Sequence, residues 1–77
     1  MITVRERYNL AKRDGDLEFV AMIELAVENG ILNWQDRWDV DEESVLNWWE
    51  EFKEKLRKEG KEVRCFYGEG TWMITQI

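Results

Sequence analysis

The chain has 77 residues, 44% of them hydrophobic and 13% aromatic, with 11 lysines and arginines against 17 aspartates and glutamates, no histidine and a formal net charge of −6. That length holds one domain, residues 1–77, and the apolar share excludes an acidic disordered tail. A charged fraction of 36% with a mean hydropathy of −0.60 excludes a membrane-embedded chain.

Thr3-Val4-Arg5-Glu6 fits a capping box, so a first helix is expected over about 4–13, with Val4, Tyr8 and Ala11 on one face and Asp14-Gly15 as its end. Asp16 then caps a second helix over about 16–29. Phe19, Val20, Met22, Ile23, Ala26 and Val27 form its broad apolar face, Leu17, Ala21 and Leu25 lie on the other side, and only Glu18, Glu24 and Glu28 interrupt it. A helix apolar on both sides belongs at the centre of a fold. Asn29-Gly30 closes it, with Ile31 and Leu32 trailing as a hydrophobic contact.

Residues 31–40 read as a loop with one helical turn, Trp34 and Trp38 standing four apart. A third helix is expected over about 41–59. Asp41 is its N-cap, Glu42 and Glu43 fill the first turn, and Val40 staples against Val45. Val45, Trp49, Phe52 and Leu56 fall within roughly 60° of arc, with Trp48 and Leu46 at its edges. From Glu62 the period changes to alternation, giving a β-hairpin of about 62–67 and 71–76 around Gly68-Glu69-Gly70. A two-residue turn puts Val63 and Cys65 on one face with Trp72 and Ile74; a three-residue turn puts them with Met73 and Thr75. The expected fold is α+β, three helices followed by a C-terminal hairpin, with the helices on one face of a small antiparallel sheet. Two strands alone are marginal, so a third is expected from residues 31–38, from Met1–Thr3 or from a second subunit.

Small domains commonly depend on disulfides, metals or oligomers. Cys65 has no intrachain partner, so the five tryptophans, able to bury on the order of 1,000 Å² together, take that role instead. The N-terminus runs straight into Arg5, Glu6 and Arg7, unlike a signal peptide, and a cytoplasmic location is expected.

Charge is distributed unevenly. Residues 1–13 carry +3, residues 14–51 carry −11 and residues 52–77 carry +2, and four of the five tryptophans lie inside the acidic segment. Enzymatic readings fare badly in this composition. Without histidine there is no ready general base at neutral pH, no Ser-His or Cys-His pair and no imidazole metal site. Ser44 serves a first helical turn, and Cys65, mid-strand, packs as a small hydrophobe. Asp39-Val40-Asp41-Glu42-Glu43 lacks the glycine of a cation loop, and Gly68-Glu69-Gly70 lies between strands, so it is a turn and no phosphate cradle. No cofactor or metal is expected.

Helices followed by a hairpin also outline a winged helix. A recognition helix beginning Asp-Glu-Glu-Ser would repel phosphate, and Arg5, Arg7, Lys12 and Arg13 of the first helix, a patch that could touch nucleic acid, read better as a solvated face balancing the acidic segment. Adjacent tryptophans on a helix point about 100° apart, so Trp48 and Trp49 cannot both face one core centre. The leading expectation is a non-enzymatic protein-binding domain, an inhibitor or modulator. Its partner-binding residues are Trp34, Trp38 and Trp48, framed by Asp36, Asp39, Glu42, Glu43 and Glu51. The alternative is a DNA mimic whose acids occupy a basic nucleic-acid-binding channel. In composition the chain resembles the short acidic proteins that phages and mobile elements encode against host machinery, anti-CRISPR and DNA-mimic proteins among them. That resemblance implies a partner in the host cytoplasm. The uncharged segment 71–77 is a candidate edge strand for a homodimer.

Overall fold

The computed structural model describes residues 3–35, 41–66 and 72–77. Three helices, α1 (Val4–Asp14), α2 (Leu17–Glu28) and α3 (Glu42–Lys58), precede a hairpin of β1 (Lys61–Cys65) and β2 (Trp72–Gln76), an α+β arrangement in which helices contact the sheet. Each helix stands within two residues of its expected bounds because its ends are written locally. The Thr3 hydroxyl accepts from the Glu6 amide at 3.1 Å, and Gly15, at φ 80°, ends α1 in the left-handed conformation while the Asp16 amide reaches back to the Ala11 carbonyl. Asp41 caps α3 through the Glu43 amide at 3.2 Å. Removing that acceptor leaves a first-turn amide without its partner. Asp41→Ala is therefore expected to cost about 1 kcal/mol, read as a lower urea midpoint with an unchanged m-value.

Asp16 departs from expectation. It stands at the N-cap position of α2 but makes no side-chain cap; its carboxylate faces Arg7 at 3.9 Å instead. The tight Gly15-Asp16 link places α1 beside α2, which makes the guanidinium the nearer partner. At the far end of α2 the Ile31 and Leu32 amides both donate to the Ala26 carbonyl, and of the two trailing residues only Leu32 is buried. Residues 31–35 form no strand or helix; the Asn33 side chain accepts from the Gln35 amide at 2.9 Å and turns the chain. The Val40 staple and Trp38 lie outside the described residues.

α2 is the centre of the fold, as its two apolar sides require. Phe19, Val20, Ala21, Met22, Ile23, Leu25 and Ala26 are all buried. Val4, Tyr8 and Ala11 of α1 close on it from one side and Val45 and Trp49 of α3 from another, with Phe52 partly buried alongside. β1 packs against α3 and α2. The hairpin register pairs Val63 with Ile74 and Cys65 with Trp72. Those four side chains share a face, which is the alternative given by a two-residue turn, and Val63 and Trp72 lay that face on the core. The turn itself lies outside the described residues. Among the described residues the sheet has two strands, so neither 31–35 nor Thr3 supplies a third.

Candidate functional site

The acidic, tryptophan-bearing half of the chain separates into several structural roles. Trp49 is 3% exposed; its Nε1 donates to Glu18 Oε1 at 3.4 Å, and Lys53 lies over its ring at 5.5 Å while pairing with Glu18 and Glu50 at 3.3 Å each. Trp48 is half-buried and stacks on Phe52, ring centroids 5.1 Å apart. Trp34 is 46% exposed, with its ring 5.6 Å from that of Tyr8 and its carbonyl accepting from Arg5 at 2.5 Å. Of the tryptophans proposed for partner binding, Trp34 therefore presents the most open indole among the described residues. Trp38, Asp36 and Asp39 lie outside them.

The described acids of the expected patch do not converge on one face. The 100° helical step puts Glu42 on the flank of α3 that meets Arg7, at 3.5 Å, and puts Trp48 and Glu51 on the opposite flank. Glu43 points directly away from the core. Along that solvent face stand two further exposed carboxylates, Glu50 and Glu54, about two and three helical turns beyond Glu43. Glu43 and Glu51 make no ion pair among the described residues, whereas Glu50 and Glu54 pair with Lys53 and Arg57 at 3.3 Å. Sequence reasoning passed over Glu50 and Glu54, although the step that buries Val45 and Trp49 also aligns them. It also missed a shallow groove of about 170 Å³ between α2 and α3, floored by Phe19, Met22, Leu46 and Trp49 and rimmed by Asp16, Glu18 and Glu50.

Glu24, which reads as a mere interruption of α2, joins three elements. Its two carboxylate oxygens accept from the Tyr8 hydroxyl of α1 and from Trp72 Nε1 of β2, each at 2.8 Å. Burial, then the hydrogen bond to Glu24 and that carboxylate's negative charge, hold the Tyr8 phenol well above its ordinary pKa. A raised folded value means the contribution of Tyr8 is complete below its unfolded pKa and declines as pH climbs past it. Wild-type stability is expected to fall from about pH 10 upward by more than that of Tyr8→Phe, measured as urea midpoints at paired pH values.

Cys65 corrects an expectation. It ends β1 and is exposed, so it does not pack as a small core hydrophobe. Partial burial of the thiol and, second, the charge of Glu18 raise its pKa, which disfavours the nucleophilic thiolate. The basic residues of α1 are engaged locally: Arg5 with the Trp34 carbonyl, Arg7 with Asp16 and Glu42 and over the Phe19 ring, Lys12 over Tyr8, Arg13 with Asp14. Among the described residues no group of three or more acids and cysteines is placed to hold a metal, and no helix is long and apolar enough to cross a membrane. No family model, no curated protein and no solved structure matches the chain.

Proposed function

We propose that the protein is a non-enzymatic binding domain that inhibits or modulates a partner protein carrying a basic surface. The observation that carries this reading is the solvent face of α3, where Glu43, Glu50 and Glu54 line one side of a single helix with Glu51 beside them. A row of carboxylates on a rigid helix attracts a complementary cationic patch and sets its register. The exposed indole of Trp34 supplies the large, low-entropy apolar contact that binding surfaces favour.

The test is capture of partners from the source or host-cell lysate by the immobilised protein, with two variants. One replaces Glu43, Glu50 and Glu54 by glutamine; the other is Trp34→Ala. All four positions are exposed, so the fold is retained. Wild-type capture should weaken as salt rises, and each variant should lose most of it. Capture that survives both variants sinks the proposal. The collinear carboxylates also favour a second reading, a DNA mimic, which differs in one outcome: duplex DNA then competes for the captured partner.

A further inference from the structure

We propose that β2 is a self-association edge, pairing antiparallel with β2 of a second copy so that two hairpins form one four-stranded sheet with Ile74 at the two-fold axis. The backbone geometry comes first. The Ile77 amide donates to the Gly60 carbonyl at 2.8 Å, in the same register that pairs Lys61 with Gln76. Hydrogen-bonded and non-hydrogen-bonded pairs alternate along an antiparallel ladder. Thr75 and Met73 therefore turn their amides and carbonyls toward β1, while Trp72, Ile74 and Gln76 turn theirs outward, and among the described residues no strand meets them.

Those outward groups are self-complementary. A two-fold axis through Ile74 sets Ile74 against Ile74 of the partner subunit and Trp72 against Gln76 of the partner subunit, so all three outward residues meet outward residues. Shifting the axis by one residue leaves either Gln76 or Trp72, according to the direction, without such a partner inside the strand. The chemistry of the side chains agrees. Trp72 to Gln76 carries no charge, and the hairpin's described charges, Lys61, Glu62 and Arg64, all lie on β1, with Glu62 and Arg64 paired to each other at 3.0 Å. Self-pairing thus brings no like charges face to face. β2 also lacks the lysine, proline or bulge that natural edge strands use against pairing, and Met73 and Ile74 are 48% and 40% exposed. A second copy of this uncharged strand meets each requirement, and a two-stranded sheet gains the further strands that independent stability calls for.

The inference is independent of the acidic face of α3, and salt separates the two. Protomers of charge −6 repel, so screening strengthens dimerisation, whereas it weakens capture of a basic partner. The experiment is sedimentation equilibrium over a concentration series at low and high salt, with amide hydrogen exchange at both ends of the series. The expected result is a doubled mass at high concentration, reached earlier in high salt. Exchange at Trp72, Ile74 and Gln76 should slow with concentration, while Met73 and Thr75 should be protected throughout. Ile74→Lys sets two ammonium groups opposite each other and should leave a folded monomer; if that variant fails to fold, exchange in the wild type decides. A monomer at every concentration overturns the proposal, as does a dimer whose Trp72, Ile74 and Gln76 amides exchange as fast as in dilute solution.

Discussion

Trp49→Ala is expected to destabilise the protein by about 4 kcal/mol, the usual range for truncating a buried large aromatic. At about 0.05–0.15 kcal/mol per residue a domain of this size holds only roughly 4–12 kcal/mol, so the substitution removes about a third or more of the total. The loss has several sources. The ring sits among core residues at 3% exposure, its centroid is 5.9 Å from that of Phe52, its Nε1 donates to Glu18, and Lys53 lies over it. Trp34→Ala removes an indole of the same size that is 46% exposed, and is expected to cost less than about 1 kcal/mol. Urea unfolding followed by far-ultraviolet circular dichroism reads both. Equal losses would show that Trp34 is a structural anchor, and would remove it as a binding residue.

The second large effect belongs to Glu24. Replacing it by alanine takes the acceptor from the Tyr8 hydroxyl and from Trp72 Nε1 at once. Hydrogen bonds to a charged group are worth about 1.5–3 kcal/mol each, and partial exposure lowers that, so a total near 3 kcal/mol is expected, or about 15 °C in Tm for a domain of this length. Glu24→Gln keeps the volume and one carbonyl oxygen but offers an amide group that cannot accept, and should lose about half as much. Trp72 is released from α2 in the alanine variant, so a change in tryptophan fluorescence should accompany the lost stability. A shift within about 0.5 kcal/mol would show that the three elements are held by apolar packing alone.

The two cases mark where sequence reading succeeds and fails. The helical step separates Trp49 from Trp48, because burial on a helix depends on angle relative to Val45, Phe52 and Leu56, all nearby in the chain. The same step would have found Glu50 and Glu54 on the opposite side. No local pattern could assign Glu24, whose partners are 16 and 48 residues away. Asp16 failed for a related reason: capping is a local preference, and Arg7, brought alongside by the turn at Gly15, offered its carboxylate another partner. Cys65 fits an alternating strand as a hydrophobe, yet a strand's last residue can reach past the helices that cover its middle, and here it does.

What the sequence by itself determined is therefore the local part: three helices with their caps, a hairpin after them, a central α2 apolar on both sides, and a net charge of −6 concentrated in residues 14–51. These depend on interactions within a few residues or on composition, and carry no loop-closure uncertainty. Tertiary structure alone decided the hairpin register, because both turn lengths gave plausible alternation and only the laying of Val63 and Trp72 on the core chose between them. It also divided the tryptophans and acids into core, clasp and surface. Side chains of one type and charge acquire different roles once packing sets which of them meet water.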